Sequence, residues 1–174
     1  YAENISQLAL ANVDFDMQNR HHISYNLMMI HANTQSVGDY NGKNSIFSDD
    51  YENLGFTRRQ QTNDNMLIVN QLMTNWGLTK SLSLDAGASY NMVKGYEPDR
   101  RINNLTKAED GYTLLRGNSQ QRYFSTLDED DLNVKAGLVY RLKDNIEEIS
   151  NVRFGYTGRF VDDNFKATEY NLTV

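Results

Sequence analysis

The sequence has no cysteine, one proline and no long apolar run, and these absences exclude several classes of protein. Without cysteine there is no disulfide framework, no thiol nucleophile and no sulfur-ligated zinc site. A membrane-spanning helix needs about 20 consecutive apolar residues, and no stretch approaches that length, which excludes a helical membrane protein. The net charge of -6 gives no electrostatic reason to expect nucleic-acid binding, which needs clustered Lys and Arg.

No catalytic motif is present either. The sequence contains no GxSxG, no HExxH and no glycine-rich phosphate loop. We therefore expect no catalytic residue, no bound metal and no cofactor. The adjacent His21 and His22 would point to opposite faces of a strand, and His31 shares the parity of His21 but lies about 30 Å away along an extended chain. The acidic run 128–131 lacks the spacing and central glycine of a calcium loop, so we interpret it as a solvated loop end.

The residues that are present favour strands. Eleven tyrosines and a single proline suit pleated sheets, because aromatic residues pack well on them and proline cannot donate to a hydrogen-bonded ladder. The mean hydropathy of -0.67 resembles that of a soluble protein, but strands of a membrane barrel alternate apolar and polar residues and average to similar values. Periodicity must therefore decide the fold class.

Three segments alternate strictly between two kinds of residue, over residues 82–93, 132–142 and 151–160. A period of two predicts a strand. Each segment has about the 9 to 11 residues with which a tilted strand crosses a bilayer. The predicted apolar positions are Leu82, Leu84, Ala86, Ala88, Tyr90, Met92, Leu132, Val134, Ala136, Leu138, Tyr140, Leu142, Val152, Phe154, Tyr156 and Phe160.

The first half of the chain repeats the alternation less regularly. Residues 9–17 and 23–29 follow it, whereas residues 66–78 follow it only in part, because Asn70 and Thr74 share a face with apolar residues. The segment 65–75 is the one place where a helix competes. In total the sequence predicts about six strands in one segment, and the pattern allows the start of another at residues 170–174.

The predicted connections alternate between short and long. Short turns lie near residues 18–21, 79–81 and 143–150, and long loops span residues 35–55 and 97–130. In an up-and-down barrel every second connection emerges on the same side, so the short turns would share one rim and the long loops the other. A Greek-key sandwich has no reason to sort its loops in this way. The sequence therefore predicts an all-β, antiparallel up-and-down meander that is part of a transmembrane β-barrel.

On these features the chain resembles the barrel of bacterial TonB-dependent outer-membrane receptors. The resemblance is carried by paired strands such as NMLIVNQLMTNWGLTKSLSLDAGASYNMVKGY and DLNVKAGLVYRLKDNIEEISNVRFGYTGRF. It implies the outer membrane of a Gram-negative bacterium, short turns in the periplasm, long loops outside, and a parent protein that binds and imports a nutrient. It also implies a plug domain inside the barrel and TonB as the energy-coupling partner.

The chain has no segment that corresponds to the plug domain, and about six strands cannot close a barrel of about 22 strands. We therefore expect a fragment whose partners are outer-membrane lipid, the remainder of its own barrel and the plug. The alternative is a self-contained small β-barrel of eight strands or a secreted β-sheet domain, acting as an adhesin or a ligand-binding module. A plug domain or a signal peptide upstream of this sequence would discriminate the two.

A ligand is expected in the long loops, because loops on a rigid barrel are where ligand contacts concentrate. Aromatic rings and hydrogen-bonding side chains suit a sugar, a peptide or a metal chelate equally well, so the class of ligand stays open. The competing interpretation is that these residues only order the loops. The candidate ligand-binding residues are Tyr40, Tyr51, Tyr96, Arg100, Arg101, Tyr112, Arg122 and Tyr123.

Two other groups follow from the alternation. Phe15, Trp76, Tyr140 and Phe154 fall close to short turns on the predicted apolar face, where an aromatic girdle at the membrane interface would lie. Aromatic residues also cap hairpin ends in other antiparallel sheets.

On the predicted polar face, cationic side chains are expected to pair with carboxylates of the plug or of neighbouring strands; these are Lys135, Arg141, Arg153 and Arg159.

Overall fold

The computed structural model describes residues 1–17, 20–43, 54–114, 120–145 and 148–172, and nearly all of them form strands. The strands are β1 (Ala2–Met17), β2 (His21–Lys43), β3 (Leu54–Gly77), β4 (Leu82–Ala108), β5 (Gly111–Leu114), β6 (Gln120–Asn145) and β7 (Glu148–Leu172). No helix among the described residues is long and apolar enough to cross a membrane. The segment 65–75, where a helix competed in the sequence, lies within β3.

All seven strands belong to one antiparallel sheet. Its order is β1-β2-β3-β4-β6-β7, and the short β5 pairs with β4 off this path. Each long strand therefore pairs with the long strands next to it along the chain, which confirms the predicted antiparallel meander. The described ranges contain no second sheet, and within them the outer edges of β1 and β7 have no partner strand, so the sheet is open.

The register brings the apolar positions of the six long strands onto one face of the sheet. Trp76 of β3 lies between His21 of β2 and Leu84 of β4. Leu84 lies opposite Leu138 of β6, which in turn lies opposite Phe154 of β7. We call this side the apolar face and the other side the polar face. Alternations that were separate in the sequence thus coincide across the whole sheet.

The apolar face carries a band of exposed and half-buried side chains over residues 9–17, 21–29, 68–76, 82–92, 132–142 and 152–160. Each run has about the 9 to 11 residues that cross a bilayer. Phe154 is 80% exposed, Phe160 58% and Leu72 50%. At one border of the band the face turns polar, in a row formed by Gln7, His31, Lys94, Asp128 and Asn164, with Met66 between His31 and Lys94. An exposed apolar surface of this extent marks a site of contact with another protein or with a membrane.

The polar face holds the buried polar side chains of the sheet, Ser24, Glu97 and Asp131. Amide groups hydrogen-bond across strands there: Asn12 donates to Asn26, and Asn26 donates to Gln71 at 3.3 Å. One part of this face departs from the predicted alternation. On β1 to β3 it carries an apolar patch formed by Leu8, Leu10, Met28, Ile30, Leu67 and Val69.

A bulge interrupts β4 beyond the apolar band. The pairing of β4 with β6 shifts register between Glu97 and Arg100, and the pairing of β3 with β4 shifts at the same level. β4 therefore has one residue more than both of its neighbours. The extra length falls at Pro98 and Asp99. Proline has no N–H for the ladder, so the only proline of the chain lies where pairing is interrupted.

The structure corrects the predicted lengths of the connections. β2 continues to Lys43 and β3 begins at Leu54, whereas β4 continues to Ala108 and β6 begins at Gln120. Most of the predicted long loops 35–55 and 97–130 is therefore strand, and so are the acidic run 128–131 and much of the predicted turn 143–150. Residues 170–172 end β7 and do not start another strand. Residues 44–53 and 115–119 lie outside the described residues.

The short turn between β3 and β4 is held by a threonine. The Thr79 hydroxyl accepts hydrogen bonds from the backbone N–H groups of Ser81 at 3.2 Å and Leu82 at 3.0 Å. The Thr79 N–H donates to the Leu82 carbonyl at 3.0 Å. A hydroxyl that satisfies nearby backbone donors favours a tight turn. The connection predicted at residues 79–81 is therefore compact for a local reason.

Two glycines that face each other give a test of the sheet's packing. A Cβ added at Gly155 would lie 2.9 Å from the Ala136 carbonyl oxygen, whereas one added at Gly137 would meet nothing closer than 3.6 Å. Backbone atoms cannot move aside as a flexible side chain can. We expect Gly155→Ala to lower the free energy of unfolding by about 1 to 3 kcal/mol. The matched Gly137→Ala should change it by less than about 1 kcal/mol. Urea titrations of both variants measure the difference, and equal losses would contradict this packing.

Candidate functional site

The predicted ligand-binding residues that the structure describes lie on strands and not on loops. Tyr40 is in β2, Tyr112 is in β5, and Tyr51 lies outside the described residues. The others are in β4 and β6, beyond the apolar band: Tyr96, Arg100, Arg101, Arg122 and Tyr123. Because a strand points successive side chains to opposite faces, their positions on strands decide which of them can meet one ligand.

The register divides these residues between the two sides of the sheet. Arg101 lies directly opposite Arg122, on the side that continues the apolar face. Arg100 lies directly opposite Tyr123, on the side that continues the polar face. Tyr96 shares the side of Arg101, since it precedes the bulge. The seven of the predicted residues that the structure describes therefore do not form one site, although the structure brings two pairs of them together.

The first pair is joined by an aspartate that the sequence analysis missed. Arg122 donates to the Asp99 carboxylate from Nε at 3.1 Å and from Nη2 at 2.8 Å, and Arg101 donates to it as well. The hydrogen bonds from Arg122, the largest cause, and those from Arg101 hold the pKa of Asp99 below its usual value. The Arg122 guanidinium also lies 5.3 Å from the centre of the Phe124 ring. Pro98 inside a strand pattern was the signal for the bulge that presents Asp99.

The second pair forms a more enclosed cluster on the opposite side. The Arg100 guanidinium lies 4.2 Å from the centre of the Tyr123 ring, which is within the range of a cation–π interaction. Arg100 Nη1 is 3.7 Å from Glu97 Oε1. Arg100 Nε and Glu97 Oε1 are buried and have no hydrogen-bond partner among the described residues. The bulge thus holds two buried polar atoms whose hydrogen bonds the described residues do not satisfy.

Two adjoining depressions lie on the polar face at the level of the apolar band. Their volumes are about 430 and 660 Å³, and Lys135 lines both of them. Gly87 contributes to the floor of the first, and Gly137 and Gly155 to the second. Glycines leave space where side chains would fill it, so this part of the polar face is recessed. None of the residues predicted to bind a ligand lines either depression.

The cations predicted on the polar face differ in their partners. Arg159 of β7 lies 3.1 Å from Asp131 of the neighbouring β6, and Arg153 of β7 lies 3.7 Å from Asp85 of β4, across the intervening β6. In the described part of the chain, Lys135 makes no ion pair, and its ammonium contacts the Met73 sulfur at 4.0 Å. Carboxylates of the same sheet thus pair with two of the predicted cations and leave Lys135 without a carboxylate.

The three histidines do not converge on one point of the sheet, and the adjacent His21 and His22 lie on opposite faces, as the sequence predicted. The His21 and Trp76 rings lie on the apolar face with their centres 4.6 Å apart and their planes tilted by 42°, and His22 lies 2.8 Å from Asp16 on the polar face. His31 lies 2.6 Å from Asp64. Within the described ranges, no group of three or more His, Asp or Glu side chains is placed to hold a metal ion.

Comparison with known proteins adds no family. No protein-family model matches the sequence, and no curated protein matches it. The two faces of the sheet, their register and their charges are therefore what a functional proposal has to rest on.

Proposed function

We propose that this sheet is a section of the wall of an outer-membrane β-barrel, with its apolar face against lipid and its polar face toward the interior. The observation that carries the proposal is the register, which aligns six separate alternations into one exposed apolar band about 9 to 11 residues high. Hydrocarbon is the phase that such a band fits. On the other face the ladder of Asn12, Asn26 and Gln71 suits water.

The aromatic residues at the short-turn end of the band support this orientation. Trp76 and Phe154 lie in one row across the sheet, and Tyr140 lies in the next row toward the turns. Phe15 lies close to the turn after β1. Aromatic rings at the edge of an apolar band are typical of a membrane interface, and the short turns beyond them are typical of the periplasmic rim.

The surroundings that the sheet requires support a larger barrel. The outer edges of β1 and β7 carry backbone N–H and C=O groups that lipid cannot satisfy, so further strands, from the remainder of the barrel or from another copy of the chain, have to pair with them. The apolar patch on the polar face at Leu10, Met28 and Val69 also needs a cover inside the barrel. A plug domain, as in TonB-dependent receptors, would provide it.

We further propose that the complete barrel is a TonB-dependent receptor, which binds a nutrient and imports it with energy transmitted by TonB. The resemblance of the paired strands supports this activity, as do strands that continue well beyond the band toward the long connections. The alternative, a secreted β-sheet domain, would need protein to cover the apolar face. The described strands provide no such cover, because they all lie in one sheet.

The only tryptophan of the chain allows a direct test. We expect the fluorescence of Trp76, in vesicles that contain the chain, to be quenched by lipids brominated on their acyl chains, and more strongly by bromine near the headgroups than by bromine at the chain ends. The matched control carries Asn75→Trp together with Trp76→Phe, which moves the indole to the polar face. It should escape quenching. Equal quenching of both proteins, or of neither, would refute a lipid-facing side.

A further inference from the structure

The smaller of the two depressions on the polar face has an unusual charge balance. Two cations, Lys135 and Arg159, line it, and no carboxylate does. The other polar side chains in its lining are neutral and can both donate and accept hydrogen bonds: Gln71, Ser89, Asn133 and Thr157. Its volume of about 430 Å³ lies within the range of small-molecule sites. The lining therefore suits a ligand that is anionic and rich in hydroxyl groups.

Lys135 provides the charge that is free to bind. The guanidinium of Arg159 is already held by Asp131, whereas Lys135 makes no ion pair within the described ranges. Its outward neighbours Val134 and Ala136 belong to the apolar band, so in a barrel wall the ammonium lies at the depth of the hydrocarbon. Ionisable groups at that depth face the interior and are neutralised by a partner.

The absence of a side chain at Gly87 leaves the room in which the Lys135 side chain lies over the depression. A Cβ at this position would lie 2.9 Å from Lys135 Cε and 3.2 Å from the Leu72 carbonyl oxygen. The lysine side chain thus crosses β4 in the space that the missing side chain leaves and reaches Met73 on β3. Its position across two strands brings the charge beside the neutral hydrogen-bonding groups of Gln71 and Ser89.

From these contacts we propose that the depression around Lys135 binds a small hydroxylated carboxylate, a sugar acid of the hexuronate class. The ammonium pairs with the carboxylate, and the amides and hydroxyls around it bind the sugar hydroxyls. The inference rests on the proposed function, because the polar face must line a wet interior, and it names the class of nutrient that this wall contacts.

The test compares sodium galacturonate with galactose, its uncharged counterpart, by calorimetric titration of the full chain in lipid nanodiscs. Galacturonate should bind, and Lys135→Met should weaken that binding about tenfold, as expected for the loss of a charged hydrogen bond. The control Lys94→Met removes a lysine from the other face and should change nothing. Gly87→Ala displaces the ammonium without removing its charge and should also weaken binding. Galactose should bind more weakly than galacturonate and be insensitive to Lys135→Met.

Three outcomes would overturn the proposal: no binding of galacturonate, binding that Lys135→Met leaves intact, or equal losses in the Lys94→Met control. Quenching of Trp76 by brominated lipid in the same preparation reports membrane insertion separately. If brominated lipid quenches Trp76 but galacturonate does not bind, the sugar-acid site is rejected and the barrel wall is not. If brominated lipid does not quench Trp76, the barrel wall is rejected, whatever the calorimetry reports.

Discussion

Replacing Ala88 with arginine should destabilise the membrane-inserted sheet by about 2 to 4 kcal/mol, the cost of an arginine on the lipid face near the bilayer midplane. Ala88 lies halfway up the apolar band, between Leu72 of β3 and Val134 of β6. Its side chain is exposed on the apolar face, so steric overlap adds little to the cost. In the proposed barrel wall a guanidinium at this height is surrounded by hydrocarbon, so the expected penalty is one of solvation.

The matched control is Ser89→Arg, one residue further along the same strand. Ser89 lies on the polar face, where a long charged side chain reaches the interior, and the expected loss is below about 1 kcal/mol. Gly87 would be a poorer control, because any side chain there meets Lys135 and the Leu72 backbone. Reversible unfolding in lipid vesicles, followed by tryptophan fluorescence, measures both variants. Similar losses at the two positions would mean that neither face meets lipid.

The alternation of side chains made the two faces predictable from sequence. In the segment 82–93 every second residue is apolar, and a period of two fixes the parity of a strand without any knowledge of its partner. Parity alone also predicted that His21 and His31 would share a face while His22 would not, which the register confirms. The apolar face could thus be predicted residue by residue before the pairing of strands was known.

The ends of the strands could not be predicted in the same way. Beyond Met92, β4 continues to Ala108 with polar residues on both faces, so the hydropathy pattern that marks a half-buried strand is absent. These parts of the strands are stabilised by backbone pairing with β3 and β6, and side-chain pattern does not report backbone pairing. Polar sequence was therefore interpreted as loop, and the long connections were predicted too long.

The cluster of Asp99, Arg101 and Arg122 could not be predicted without the bulge in β4, and the bulge depends on how the strands pair. Asp99 and Arg122 are 23 positions apart in sequence, and they meet because the extra residue at Pro98 turns Asp99 toward the side of Arg101. Arg100 and Arg101 were predicted together from the sequence, although adjacent residues in a strand point to opposite faces. The depression around Lys135 was missed for a related reason. Its residues come from four strands, and only the register brings Gln71, Gly87 and Lys135 together.

The absence of cysteine makes the apolar band measurable one position at a time. Single cysteines introduced along β6 in vesicles should react with a charged, water-soluble thiol reagent in strict alternation. Positions 132, 134, 136 and 138 lie on the apolar face, and positions 133, 135 and 137 lie on the polar face. The thiolate is the reactive form, and burial in hydrocarbon disfavours it. Each unit by which the thiol pKa rises lowers the reaction rate about tenfold. Cysteines on the apolar face should therefore react at least about tenfold more slowly than cysteines on the polar face.

The same scan should also locate the border of the band. At residues 122–126 the side chains of β6 lie beyond the polar row that contains Lys94 and Asp128, so cysteines of both parities should react at similar rates there. In denaturant all the variants should react alike, which controls for intrinsic reactivity. Uniform reactivity over residues 132–138 would contradict a lipid-facing side. Alternation that continued through residues 122–126 would mean that apolar surroundings reach beyond the band. One apolar band, with water on the other face of the sheet and beyond the band's border, requires reactivity that alternates over residues 132–138 and is uniform over residues 122–126.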